Sequence, residues 1–266
     1  RRPRDHQQCV QKSGCGTMTQ KGESVPPNPH ILHVWGDFAC FSRPELKVER
    51  FSYPVITPSA ARGIFDAIYC KPKEFRWQVT QVEVLSLPSY IALRRNEVKD
   101  KASVGAISSW MAGKAEPEPI WADGDRDLLG TDQKGRTQRQ TMALKDVRYR
   151  LHGEIRPWPG FIQAQTAFDA QFARRASHGK CAYQPCFGCR EFPAFFELPQ
   201  GCDRRQPVPW TQDLGWMLYD VFDQSGPGTP NDRPAVSLFP AQVTAGVMNV
   251  PDYSDAQVHK ASQGGA

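Results

Sequence analysis

Along this chain, stretches that alternate hydrophobic and polar positions give way to stretches with helical spacing, in a regular order. "HILHVWGDFACF" (30–41) alternates and is rich in strand formers, which predicts a first strand. A loop with Arg43, Lys47 and Arg50 follows. "TPSAARGIFDAIY" (57–69) then opens with Thr57 at a cap position and Pro58 in the first turn, a helix start. Ile64, Phe65 and Ile68 form its apolar stripe, Arg62, Asp66 and Tyr69 share the other face, and Pro72 ends it. "RWQVTQVEVLSLP" (76–88) and "SYIALRRNEV" (89–98) predict two strands with a turn at Pro88. Residues 99–140 are polar and read as a long flexible insertion. "TMALKDVRYRLHGEI" (141–155) alternates again. "GFIQAQTAFDAQFARRAS" (160–177) predicts a helix closed by His178 and Gly179, and "REFPAFFEL" (190–198) a strand with Pro193 at an edge or bulge.

With one strand set aside, the order β-α-β-β-insertion-β-α-β predicts an α+β fold: a ferredoxin-like sandwich with a modified hairpin. A Pro/Gly-rich linker near 199–209 leads into "LGWMLYDVF" and "AVSLFPAQVTAGVMNV", which predict a small C-terminal antiparallel β-sheet. The expected division is a disordered tail over 1–29, a ferredoxin-like domain over 30–198 and a β domain over 199–266. At 266 residues and 39% hydrophobic content, one medium and one smaller domain are the natural expectation.

Composition narrows the function. The net charge of +5 permits a nucleic-acid partner without requiring one. No apolar run has the length of a membrane span, and the opening "RRPRDHQQCV" lacks the apolar stretch of a secretion signal. The expectation is therefore a cytoplasmic chain with free thiols, away from membranes. Cys186 and Cys189 form a C-x2-C pair with Cys181 and Cys202 nearby, a pattern open to zinc. Cys202 has no second knuckle, however, and no histidine stands at finger spacing. Buried free thiols are the preferred reading, with no metal and no cofactor.

Arg94-Arg95 end an expected strand, Arg148 and Arg150 alternate on another, and Arg174-Arg175 close a helix, with Arg43, Lys71, Lys180 and Arg190 in loops or at element ends. With Trp35, Phe38, Tyr53 and Tyr69 between them, they could form a groove that holds phosphates and stacks bases; solvated surface is the plainer alternative. Metal-free RNA cleavage needs a base for the 2′-hydroxyl, a donor for the leaving 5′-oxygen and cations at the phosphate. His33 lies within a predicted strand and reads as structural, and His152 could be exposed. His178, in the basic turn "RRASHGKC", is the most site-like. Carboxylates at two-metal spacing are absent from the sequence.

Several segments together carry a resemblance: "DFACFSRPELKVERFSYPVITPSAARGI", "AIYCKP", "ALRRNEV", "ALKDVRYRLHGEI", "FARRASHGKC" and "CFGCREFPAFFE". In order, over residues 31–198, they resemble the Cas-five family, subtype d, of type I-C CRISPR systems. The resemblance implies an RRM-related RAMP domain with a small β domain. It also implies an activity: metal-independent cutting of precursor CRISPR RNA at the repeat hairpin. The protein is then expected to stay on the crRNA 5′ handle, with the other interference-complex subunits and double-stranded DNA as further partners. The family's usual site is a Tyr at the end of the first helix and a Lys–His pair near the start of the second. Tyr69 matches the first. Counting back from Arg174-Arg175, Ala167-Phe168 stand where the pair would be, and neither can move a proton. Either His178 and Lys180 rebuild the site just past the helix, or cleavage is weakened. The expected catalytic set is Tyr69, His178 and Lys180. The expected RNA contacts are Arg43, Arg62, Lys71, Arg94, Arg95, Arg174, Arg175 and Arg190. A non-catalytic RNA-binding scaffold and a zinc-stabilised nucleic-acid module remain the alternatives.

Overall fold

The alternating run expected over 141–155 is the middle of a 22-residue strand, Arg136–Pro157 (β5), around which the main sheet is built. In the computed structural model, residues 28–46, 48–99, 101–120, 135–199, 205–229 and 233–260 are described. Lys47, Cys202, all but the last two residues of the expected tail, and positions 121–134 of the expected insertion lie outside them. Pro29–Ala39 (β1) pairs antiparallel along one edge of β5, followed by a parallel contact from Arg50–Phe51 (β2). On the other edge, Phe75–Val84 (β3) pairs with the C-terminal half of β5 and Tyr90–Val98 (β4) with its N-terminal half. Asp146, at φ 52, sits where those two halves meet. There the Ser86 hydroxyl donates to the Asp146 carbonyl (2.9 Å) and accepts from the Arg148 amide (3.0 Å), which clamps the irregularity. Phe195–Glu197 (β6) closes the far edge beside β1.

Helix Pro58–Ile68 (α1) is capped as its sequence requires, with Thr57 Oγ1 accepting from the Ala60 amide at 3.3 Å. Its apolar stripe is fully buried, and Phe65 stacks on Trp77 at 4.7 Å. Gly153 makes that stack possible: a Cβ there would lie 2.8 Å from the Phe65 ring. Gln165–Ser177 (the third helix, α3) lies on the same face of the sheet, burying Phe168, Phe172 and Ala176. Phe172 meets Trp77 at 4.7 Å, and His30 of β1 bonds Asp169 of α3 at 2.7 Å. Each such buried ring contributes on the order of 2–3 kcal/mol relative to an exposed one.

Four expectations change. The insertion contains a short helix, Val104–Met111 (α2), capped by Ser103, and β5 begins before its expected end; β4 and β5 extend together as a hairpin. Only Phe195–Glu197 of the 190–198 stretch is strand. Before it, residues 186–193 form a tight loop bridged between Cys186 and Pro193, packed so close that Pro193 O lies against Gly36. Within "AVSLFPAQVTAGVMNV", Ala245 and Gly246 take positive φ and turn the chain. As a result Ser237–Val243 (β8) pairs with Gln212–Asp220 (β7), while Val247–Asn249 (β9) joins β3 in the main sheet. His259–Lys260 (β10) completes the three-stranded sheet beside β8. One continuous set of buried side chains runs under both sheets. Finally, the 160–177 helix begins only at Gln165, after a single 3-10 turn at Ile162–Ala164.

Candidate active site

Tyr69 is the cap residue at which α1 stops: its backbone is extended, its amide still bonds the Phe65 carbonyl, and its own carbonyl accepts from the Trp77 indole at 2.8 Å. The ring is 9% exposed and packs on Phe75 at 5.2 Å. Burial raises its pKa, with Lys71 and Arg175 pulling down and Glu74 pushing up. The phenol therefore remains protonated near neutrality.

Four other expected residues gather at the same junction. Arg175 Nε donates to the Ile68 carbonyl at the last turn of α1. Beyond α3, the Ala182 amide donates to the Ala67 carbonyl at 2.7 Å, which holds the turn containing His178 and Lys180 alongside the α1 exit. His178 is exposed, and its Nδ1 lies 2.7 Å from the Arg174 carbonyl. A carbonyl only accepts, so Nδ1 is the donor in this hydrogen bond, which leaves Nε2 as the ring nitrogen outside it. Lys71 bonds Glu74 at 2.9 Å and its ammonium lies 5.6 Å above the ring of Phe168. Phe168, expected from the resemblance to stand where the family's pair would be, is 4% exposed and packs its ring against Phe75, 5.1 Å away. No hydrogen bond or ion pair among the described residues links His178 or Lys180 to Tyr69. Arg174 is exposed and bonds Gln171 at 2.7 Å. Sequence reasoning missed Glu74 and Phe75, which hold Lys71 and Tyr69; the i, i+3 spacing of Lys71 and Glu74 was the available signal.

Two of the expected RNA contacts are engaged in ion pairs within the chain. Arg62 is half-buried in a triad with Asp66 and the buried Asp220, its Nε 2.7 Å from Asp220 Oδ2, and ties α1 to the end of β7. Arg95 is engaged by Glu191 and Glu97. Arg94, its neighbour, points outward and is exposed, as is Arg190. Arg43 lies 4.5 Å over the ring of Tyr53 and 3.7 Å from Glu45. The four aromatics of the expected groove are dispersed: Tyr53 is buried, Phe38 packs on Phe192, Trp35 stacks on Phe195, and Tyr69 lies at the α1 exit.

Two histidines are accounted for structurally. His33 is 1% exposed, between the guanidinium groups of Arg150 and Arg205. His152 bonds Glu83 at 2.8 Å, so it does not present a free ring as expected. Of the cysteines, Cys189 takes a hydrogen bond from the Cys40 thiol and lies 3.3 Å from Arg50 Nη1. That bond, with Arg50 and Arg95, lowers its pKa well below the ordinary thiol value. Among the described residues no group of three or more His, Cys, Asp or Glu side chains could hold a metal ion.

The profile of the family described as CRISPR-associated protein (Cas_Cas5) matches residues 31–251. A curated relative from Mannheimia succiniciproducens, named CRISPR pre-crRNA endoribonuclease Cas5d, is 39% identical over 239 residues, 86% of this chain and 97% of the relative. One of the same name from Thermus thermophilus is 37% identical over 250 residues, 88% and 96%. Among solved structures, one titled a CRISPR-associated protein superposes at TM-score 0.57 with 19% identity, covering 90% of this chain and all of its own. A functionally uncharacterized Streptococcus mutans protein superposes at 0.55, also with 19% identity, over 87% of this chain and 97% of that one. Those two likenesses speak to the fold; the profile and the two curated relatives speak to descent, and by them this chain belongs to the CRISPR-associated Cas5 family, in its Cas5d branch.

Proposed function

We propose that this chain is a metal-independent endoribonuclease that cuts precursor CRISPR RNA at the repeat hairpin. On this reading it then stays on the 5′ handle as a subunit of a type I-C interference complex acting on double-stranded DNA. The observation that carries the activity is the name borne by relatives 37–39% identical over nearly their whole length. The sheet order β6-β1-β5-β3, with α1 and α3 on one face, supports reading residues 30–198 as a ferredoxin-like, RRM-related domain. Residues 199–266 follow as the C-terminal β domain.

The chemistry at the α1 exit is then as follows. His178 Nε2 takes the proton of the 2′-hydroxyl. The 2′-oxygen attacks phosphorus, the bond to the 5′-oxygen breaks as that oxygen takes a proton from solvent, the proton on His178 returns to solvent, and a 2′,3′-cyclic phosphate and a 5′-hydroxyl result. The Tyr69 phenol donates to a phosphate oxygen, and Lys71, Arg175 and Lys180 offset the charge gained in the transition state. Arg94, Arg174 and Arg190 contact phosphates away from the cut.

A second reading, an RNA-binding scaffold without cleavage, has one observation in its favour. Phe168 fills the position of the family's pair with an inert ring. Single-turnover cleavage of the host's own repeat RNA in EDTA, by wild type and His178→Ala, separates the two. Cutting by wild type and loss in the variant supports the enzyme with His178 as base. Binding without cutting by both supports the scaffold. Equal cutting by both keeps the enzyme and removes His178 from its site.

A further inference from the structure

Between the end of α1, the start of β3 and the loop after β7 lies a cleft of about 560 Å³. That is within the range of roughly 300–1,000 Å³ common for small-ligand sites. Its near wall is the segment that carries Tyr69 and Lys71, through Cys70, Pro72 and Phe75. On one side stands Trp158, just beyond β5, whose indole Nε1 donates to the Pro72 carbonyl at 2.9 Å and so fixes the plane of the ring. Phe222, 40% exposed although it is apolar, also lines the cleft.

The polar groups of the wall are already oriented. Asp223 accepts from the Ser225 amide at 2.9 Å and from the Tyr253 hydroxyl at 3.1 Å. Arg76 bonds Gln78 at 2.6 Å, and Lys73 stands exposed at the rim. Cations and carboxylates in the wall nearly balance, with Arg62, Lys73 and Arg76 against Asp66 and Asp223. A phosphate seeks positive charge that is not already engaged; here Arg62 is held by Asp66 and Asp220 and Arg76 lies 3.5 Å from Asp252, which leaves Lys73 at the rim. A flat, neutral heteroaromatic body with donors and acceptors on its edge suits two aromatic side walls and a mixed polar floor.

We propose that this cleft takes one unpaired base of the repeat RNA, splayed out of the strand near the cut and stacked between Trp158 and Phe222. The inference rests on RNA being the ligand of this chain, as argued above. It adds a contact by which the cleavage position is chosen: a base seated here fixes the register of the backbone at Tyr69, a few residues away in the same segment.

The test uses the full chain and a repeat RNA carrying 2′-deoxy residues at every unpaired position, so that binding is read without cleavage. Abasic substitutions are introduced one unpaired position at a time, and Kd is measured by fluorescence anisotropy for wild type, Phe222→Ala and Phe222→Tyr. One position is expected to cost the wild type roughly ten-fold in Kd, as loss of a stacked base does. The same substitution should cost Phe222→Ala almost nothing, and Phe222→Tyr should regain the sensitivity. If wild type and Phe222→Ala respond alike at every position, the cleft is not a base site. If the wild type binds none of these RNAs, the RNA reading beneath the proposal fails instead.

Discussion

Removing the Arg62 guanidinium separates a structural ion-pair role from an RNA contact. In the structure Arg62 spans two carboxylates: Asp66 on its own helix, and Asp220, 2% exposed, at 2.7 and 3.2 Å. Arg62→Ala leaves Asp220 a buried anion, still held by the amides of Val221 and Phe222 but without its cation. Breaking a buried pair from one side costs about 3–5 kcal/mol. For a chain of this size that lowers Tm by about 10 °C. The deficit has a definite pH sign. Asp66 already has a raised pKa because burial outweighs the pull of Arg62. Without that cation, the folded variant binds protons more tightly than its unfolded chain does. Its stability therefore falls as pH rises, and the gap to wild type is wider at pH 8 than at pH 5. Arg62→Met combined with Asp220→Asn should recover much of the loss. Thermal melts across pH 5–8 give these values, and Kd for repeat RNA at low temperature should match wild type. A variant that melts with wild type at every pH but binds RNA more weakly would refute the triad argument and make Arg62 a phosphate contact.

Further expectations concern the site and its supports. Tyr69→Phe should slow single-turnover cleavage with little change in RNA affinity; equal rates would remove Tyr69 from catalysis. Because burial raises its pKa, ionisation of Tyr69 should leave no step in the wild-type pH–rate profile below pH 10. Arg94→Ala should reduce the salt dependence of RNA binding by about one charge. Arg95→Ala should act mainly on stability, through Glu191 and Glu97, and an unchanged melt with a lowered salt slope would contradict that division. Gly188→Ala should destabilise the 186–193 loop by several kcal/mol, on the order expected for forced backbone strain. Gly188 has φ +82, and a Cβ there would lie 2.1 Å from the Cys40 carbonyl. Urea denaturation reads the effect, and a variant as stable as wild type would show that the loop can shift.

Local signals determined the elements. Thr57, Pro58 and the stripe of Ile64, Phe65 and Ile68 specify α1 because cap chemistry and helical spacing act within a few residues. The alternation in β1, β3, β4 and β5 placed those strands for the same reason. Placing Tyr69 at the α1 exit and Arg175 and His178 at the α3 end needed only those boundaries and the "AIYCKP" and "FARRASHGKC" strings.

Which charges are free was decided only by the tertiary structure. Arg62 and Arg94 look alike in sequence, yet one meets Asp220, 158 residues away, and the other meets solvent. Likewise His152 finds Glu83 across the β3–β5 ladder while, among the described residues, His178 bonds its own helix end. The division of "AVSLFPAQVTAGVMNV" between two sheets also depends on distant chain: a Cβ on Gly246 would lie 2.3 Å from Val208 O, and β9 pairs with β3. Burial and ion pairing depend on which segments meet, and no local pattern encodes the partner of a charge that lies a hundred residues away.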